Sequence, residues 1–159
     1  MQTPVSSAGT IFLKLPPPVW AFAYLLIAFG VSYVAGWPLV PGLQSLPLAV
    51  ALLVLGLALS ISAGVLFWRE GTEINPTSVS NRKLVTSGPF KLSRNPIYLG
   101  LVIVTLGIAF WVGAWPMLLA PVATFATVNW VHIPFEEAKM RNQFGEAFDA
   151  YVREVRRWI

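Results

Sequence analysis

The chain of 159 residues contains no cysteine and a single histidine, His132. The absence of cysteine excludes disulfides, thiolate metal sites and a cysteine nucleophile. One histidine cannot form a multi-histidine metal site within one chain. The sequence therefore predicts a protein without disulfide bonds and without a bound metal.

Charged residues are also scarce, at 11% of the chain, whereas soluble domains carry about 25%. Hydrophobic residues make up 56%, and neither residues 15–68 nor residues 95–135 contain any Asp, Glu, Lys or Arg. Each of these intervals can hold two membrane spans of about 17–25 residues. The composition predicts an all-α integral membrane bundle of about four transmembrane helices, forming a single domain over residues 1–159.

The four predicted spans are residues 19–35, 46–68, 96–111 and 117–133. The first two form a helical hairpin over residues 19–68, and residues 69–159 supply a charged loop, a second hairpin and a C-terminal helix. Residues 1–18 form a polar, proline-rich arm. Lys14 precedes an apolar run, as in a signal peptide, but no cleavage site follows, so we expect a retained first helix.

Apart from Lys14, the cations lie in the 69–95 loop and in the C-terminal region. They are Arg69, Arg82, Lys83, Lys91 and Arg94, followed by Lys139, Arg141, Arg153, Arg156 and Arg157. An even number of spans places both termini and the loop on one side, which the positive-inside bias makes cytoplasmic. The sequence predicts a multi-pass protein of the inner, cytoplasmic membrane. Anionic lipid headgroups explain the net charge of +4 without a nucleic-acid partner.

Small residues recur at a spacing of four in the second span, at Gly56, Ser60 and Gly64. Such a face lets two helix backbones approach closely. The pattern predicts tight packing, either within the bundle or in a homodimer.

The C-terminal region is predicted to be an amphipathic helix that Gly145 interrupts or caps. Its apolar stripe is Phe144, Phe148, Tyr151 and Val155. Asp149 and Arg153 have the spacing of an ion pair along one helix face.

A turn and a helix start lie close together between Thr86 and Gly100. Asn95 is a preferred N-cap residue and Pro96 suits the first helical position, so the third span should begin there. A helix N-terminus attracts anions, and Arg94 adjoins it. A Gly88-Pro89 turn would add an aromatic wall from Phe90. The pattern fits a pocket for a carboxylate or phosphate, and it also fits a capped helix that binds nothing.

Two acids, Glu136 and Glu137, directly follow the fourth span. They either favour a helix start or bind a cationic or hydroxyl-bearing ligand. His132 lies one turn earlier and could share a hydrogen bond with Glu136. Arg141 either pairs with Glu137 or faces a ligand, and Tyr98 either lines the pocket or belongs to the aromatic belt.

Taken in order, three motifs resemble the isoprenylcysteine carboxyl methyltransferase family and its phospholipid-methyltransferase relatives. They are G-P-F-K-L-S-R-N-P-I-Y-L-G, the Glu-Glu pair, and F-G-E-A-F-D-A-Y-V-R-E-V-R-R-W-I; the G-T-x-x-x-P pattern of residues 71–76 adds a fourth. The resemblance covers about residues 65–159. It implies an integral membrane enzyme that uses S-adenosylmethionine at its cytoplasmic face.

The resemblance also implies which residues form the site. The cofactor-binding candidates are Gly88, Pro89, Phe90, Arg94, Asn95, Pro96, Tyr98, Leu99, Glu136 and Glu137. The catalytic candidates are Arg94, Asn95, Glu137 and, as an addition, Arg141. The family usually has histidine where this chain has Asn95, which cannot titrate. A family member that uses this imidazole as a base would need another one in this chain.

The resemblance therefore implies methyl transfer to a lipophilic acceptor bearing a carboxylate, amine or thiol. A carboxylate needs no general base, whereas an amine, phenol or thiol would draw on Glu136, Glu137 or His132. No G-x-G-x-x-G motif supports a Rossmann-type site. The alternatives are an NADPH-dependent membrane reductase of the sterol-reductase type and a non-catalytic lipid-binding or scaffold protein.

Overall fold

A computed structural model describes residues 13, 15–71 and 83–159. This part of the chain is helical and contains no strand, apart from one bridge between Leu39 and Ala114. The predicted all-α class is confirmed. The arm up to residue 12, Lys14, residues 72–76 of the G-T-x-x-x-P pattern and Arg82 lie outside the described residues.

Six α-helices are described, with two 3₁₀ turns and one π turn between them. The helices are α1 Pro17–Val34, α2 Leu46–Arg69, α3 Pro96–Val112, α4 Leu119–Thr127, α5 Ile133–Phe144 and α6 Glu146–Glu154. The 3₁₀ turns are Gly88–Lys91 and Trp115–Leu118, and the π turn is Val128–His132. The predicted spans 19–35, 46–68 and 96–111 agree with α1, α2 and α3 to within two residues at each end.

Three helical stretches of the described chain are long and apolar enough to cross a membrane. They are Pro17–Val34 with 18 residues, Leu46–Arg69 with 24, and the continuous stretch Trp115–Phe144 with 30. Helix α3 is equally apolar in character but shorter, with 17 residues. Together these helices indicate a membrane protein.

The last predicted span ends differently from expectation. We expected the fourth span to end at residue 133, but the helix continues from α4 through the π turn into α5. Proline lacks an N–H and cannot make the regular bond to the preceding turn. In the π turn the Ile133 N–H bonds to the carbonyl of Val128, and this wider pairing immediately before Pro134 lets the helix pass through the proline.

Helix α3 lies in the middle of the bundle, between α2 and α4, and α1 packs against α4 and α3. The approach of α2 to α3 is close, because a Cβ added at Gly56 would lie 2.6 Å from the Gly100 carbonyl oxygen. Ser60 Oγ donates to the Ile97 carbonyl oxygen across the same interface, at 3.2 Å. Gly56 and Ser60 therefore pack within the chain, and the homodimer stays a prediction.

Replacing Gly100 by valine should destabilise the bundle, because its side chain would overlap Ser60 and the α2 backbone. Overpacking of this kind costs about 1–3 kcal/mol. Thermal unfolding in detergent measures the effect. Gly30→Val is the matched control, since no atom of the described chain beyond the backbone of its own helix lies within 4 Å of a Cβ at Gly30. Equal unfolding midpoints for the two variants would contradict the close α2–α3 contact.

The C-terminal helices fold back onto the bundle at Gly145, whose φ of +51° ends α5 before α6 begins. The Phe148 and Tyr151 side chains are buried in a core cluster with Ala63 and Phe90. The Tyr151 hydroxyl donates to the Phe90 carbonyl oxygen at 2.6 Å. Burial raises the pKa of Tyr151 to about 12, so this hydroxyl keeps its proton and its bond at neutral pH.

Candidate functional site

Arg94 lies between the Gly88–Lys91 turn and α3, and its side chain is only 11% exposed. Its Nη2 donates to Glu137 Oε1 at 2.9 Å. Its Nη1 donates to the carbonyl oxygens of Val155 at 2.5 Å and Val152 at 3.2 Å. Its buried Nε has no hydrogen-bond partner among the described residues. The guanidinium is thus fixed in place, and its Nε–H is still available as a donor.

Glu137 is shared between two guanidinium groups. Arg157 donates to it through Nη2, 2.6 Å from Oε2, and through Nε, 3.1 Å from Oε1. Such paired donors hold a carboxylate in a defined orientation. We call these three residues the Arg94–Glu137–Arg157 triad. Two cations around one anion leave a net positive charge, which favours an anionic ligand.

Asn95 occupies the N-cap position of α3 and Pro96 the first helical position, so the predicted helix start is confirmed. The Asn95 side chain makes no capping hydrogen bond to α3. Its Nδ2 donates instead to the Arg157 carbonyl oxygen at 3.0 Å. The Asn95 amide thus bonds to the C-terminal tail instead of capping α3, and this bond links the α3 N-terminus to Arg157 of the triad.

The C-terminal tail, residues 155–159, lies against the start of α3. The Arg94 N–H donates to the Arg156 carbonyl oxygen at 3.0 Å. The Trp158 ring lies 4.8 Å from that of Phe125, and its Nε1 donates to Asn129 Oδ1 at 3.0 Å. Tail contacts therefore reach both the α3 N-terminus and the helix that carries Glu137.

The second acid, Glu136, accepts a hydrogen bond from the buried Tyr98 hydroxyl. The predicted bond between Glu136 and His132 is absent from the described contacts, where His132 Nδ1 lies 3.4 Å from the Thr127 carbonyl oxygen. The Arg94-to-Tyr98 block and the acid pair are thus joined by two separate contacts, Arg94 to Glu137 and Tyr98 to Glu136.

Other candidates lie apart from these contacts. The Phe90 ring is buried against Phe67, with centroids 4.8 Å apart, so it does not form an open aromatic wall. Arg141 does not pair with Glu137 in the described chain, and its Nε donates instead to Asp149 Oδ1 at 2.8 Å on an exposed surface. The predicted Asp149–Arg153 pair is therefore replaced by Arg141–Asp149, because the bend at Gly145 brings α5 and α6 together.

The remaining candidates form the backbone around the triad. Gly88 and Pro89 start the 3₁₀ turn, and Gly88 has a φ of +57°. Leu99 is half-buried in α3, and its N–H donates to the Asn95 carbonyl oxygen at 2.9 Å. These residues would contribute to a site by shaping the loop and the start of α3.

Sequence reasoning missed Asn129, Ser93 and the role of Arg157. Ser93 Oγ donates to the Arg157 carbonyl oxygen at 3.2 Å and accepts from the Asn95 N–H at 3.1 Å. Asn129 offered a usable signal, because an amide within a long uncharged membrane segment is costly and commonly functional. Arg157 offered only its charge, which the nearby Arg153 and Arg156 also carry.

The fold and the site together define a helical membrane protein with a charged, partly buried cluster at one end of its apolar bundle. The phospholipid methyltransferase family model matches residues 45–147, which is more than half of the chain. The chain therefore belongs to the phospholipid methyltransferase family, a family of membrane methyltransferases. No curated protein and no solved structure matches the chain.

Proposed function

We propose that the protein transfers a methyl group from S-adenosylmethionine to a lipophilic small molecule at the membrane–cytoplasm interface. The observation that carries this proposal is the direct bonding between two distant sequence blocks. Arg94 bonds to Glu137 and Tyr98 bonds to Glu136. Membership of a methyltransferase family supports the reaction class.

The residues present fit the chemical groups of S-adenosylmethionine. The unpartnered Arg94 Nε is a donor suited to the cofactor carboxylate. The Glu136 carboxylate suits its ammonium or ribose hydroxyls, and the half-buried ring of Trp158 suits its adenine. Arg141 is left out of the proposed site because its partner is the exposed Asp149.

The bound cofactor would supply an already activated methyl group. The protein residues would bind and orient the two reactants and exclude water from them. The triad would hold the anionic end of the cofactor, and Asn95 would keep the tail in place through the Arg157 carbonyl oxygen. Asn95 then acts by hydrogen bonding, which needs no titrating imidazole.

We further propose four membrane crossings, in which the short helix α3 joins the three longer stretches. Both termini and the 69–95 loop would then lie in the cytoplasm, with the protein in the inner membrane. The distribution of cations supports this orientation, because they flank the same ends of the spans. The whole chain would form one methyltransferase domain whose partners are the bilayer and the acceptor.

Calorimetry on the purified protein in detergent tests the proposed function. We expect S-adenosylhomocysteine to bind and NADPH to give no heat. Arg94→Gln should weaken S-adenosylhomocysteine binding by about tenfold or more, since a charge-assisted bond contributes about 1.5–3 kcal/mol. Lys91→Gln is the matched control, because Lys91 is an exposed cation in the same loop.

Two other outcomes of the calorimetry would contradict the proposed methyl transfer. Binding of NADPH alone would indicate a reductase, and binding of neither compound would indicate a non-catalytic membrane protein. If binding is observed, a labelled-methyl transfer assay against a lipid extract, with the product identified by mass, reveals the acceptor.

A further inference from the structure

His132 is a buried side chain for which the proposed cofactor site has no use. It is 1% exposed, and it ends the π turn Val128–His132. Its Nδ1 lies 3.4 Å from the Thr127 carbonyl oxygen. Its Nε2 is buried and has no hydrogen-bond partner among the described residues.

The Thr127 carbonyl decides which imidazole nitrogen carries the proton. A carbonyl oxygen only accepts, so Nδ1 must be the donor in this contact. In the neutral imidazole, Nε2 then holds a lone pair and can only accept. Buried polar atoms in folded proteins nearly always have a partner, so an acceptor without a donor calls for an explanation.

The position of His132 points to a ligand near the proposed cofactor site. Its ring centroid lies 6.4 Å from that of Tyr98, whose hydroxyl bonds to Glu136. Single π turns inside α-helices occur frequently at functional sites. Two turns earlier in the same helical stretch, Thr124 Oγ1 is also buried without a partner in the described chain. Two unsatisfied polar groups in an apolar bundle favour a ligand with a polar head.

We propose that His132 Nε2 accepts a hydrogen bond from the methyl acceptor, which is a lipophilic molecule bearing an O–H, N–H or S–H group. A carboxylate is disfavoured, because its oxygens would present lone pairs to the lone pair of Nε2. This proposal rests on the proposed methyl transfer and narrows its acceptor class. His132 would be a specificity-determining residue that orients the heteroatom near Tyr98.

The single histidine makes the test direct, because ¹⁵N-labelled histidine reports on one residue in the untagged protein. We expect the Nδ1–H tautomer in lipid nanodiscs of phosphatidylcholine and phosphatidylglycerol. Adding para-dodecylphenol should shift the Nε2 resonance. The methyl ether para-dodecylanisole, in which a methyl group replaces the hydroxyl hydrogen, cannot donate and should leave this resonance unchanged.

Variants separate hydrogen bonding from packing. His132→Phe should lower the ratio of the affinity for the phenol to the affinity for the anisole by about tenfold or more. A site built to bond a hydroxyl discriminates strongly against an analogue that cannot donate. His132→Gln places an amide oxygen near the Nε2 position and should retain most of the preference. Tyr24→Phe is the control, since it removes the Tyr24–Thr127 hydrogen bond in the same helical turn and leaves His132 intact.

Three results would overturn the proposal: equal shifts with phenol and anisole, the opposite tautomer, or an unchanged phenol preference in His132→Phe. S-adenosylhomocysteine binding by the same variants separates this proposal from the proposed function. If S-adenosylhomocysteine binds but the protein does not distinguish the phenol from the anisole, only the proposed role of His132 is contradicted. Phenol discrimination without S-adenosylhomocysteine binding supports the polar subsite and contradicts methyl transfer.

Discussion

Glu137→Gln should lower the affinity for S-adenosylhomocysteine by about ten- to hundredfold, which corresponds to about 1.4–2.8 kcal/mol. The substitution keeps the size of the side chain but removes the carboxylate that orients both guanidiniums, and this loss of orientation should outweigh the gain in net positive charge. Arg94 is the more buried of these cations and would lose its anionic partner. We therefore also expect a loss of about 2–4 kcal/mol in the free energy of unfolding.

Calorimetry and thermal unfolding measure these two effects on the same sample. Glu146→Gln is the matched control, because it makes the same change on the exposed start of α6. Glu137→Asp keeps the charge and should recover part of the binding. Destabilisation with unchanged affinity would make the triad a structural element only. Unchanged stability and unchanged affinity would remove Glu137 from the site.

Trp158→Ala should release the C-terminal tail from the site. The variant removes the ring contact with Phe125 and the hydrogen bond to Asn129. Full burial of a tryptophan contributes about 3–5 kcal/mol, so the half-buried Trp158 should contribute about 2 kcal/mol. Affinity for S-adenosylhomocysteine should fall as well, because the tail supplies Arg157 and the carbonyl groups that bind Arg94.

Hydrogen exchange detects tail release at a defined amide. The Arg94 N–H donates to the Arg156 carbonyl oxygen, so it should exchange faster in Trp158→Ala. The Leu99 N–H, bonded within α3, should keep its protection. Trp130→Ala is the control, because Trp130 also contacts Phe125 but is 68% exposed. Equal exchange at Arg94 in both variants would show that Trp158 does not hold the tail.

The helix positions could be predicted from the sequence because a membrane-spanning segment must be a long run of consecutive uncharged residues. Long charge-free intervals become helices, and a proline after Asn95 or a glycine at position 113 marks an end. These signals are local, so they need no knowledge of the packed structure. The same reasoning failed at Pro134, where the helix continues. The π turn that accommodates this proline has no characteristic residue pattern, so it could not be predicted from the sequence.

The contacts of the site were only partly readable. The pairing of the Arg94 block with the acid pair followed from the family resemblance. The role of Arg157 did not, because it depends on the chain leaving the helix at Val155, whose backbone is extended. Likewise, Arg141–Asp149 requires the bend at Gly145, whereas a spacing rule considers partners along one straight helix.

The start of α3 is level with Ser60 of α2, nine residues before Arg69 ends that helix. This offset amounts to about 13 Å along α2. Trp68, 79% exposed near the end of α2, is the type of residue that lies at the headgroup level of a membrane. In the proposed membrane arrangement, a site at the start of α3 would be recessed toward the hydrocarbon. Drawing a lipid chain into water costs about 0.8 kcal/mol per methylene. The proposed lipophilic acceptor, reacting at this depth, would keep its chain in the bilayer, and the reaction barrier would not include that cost.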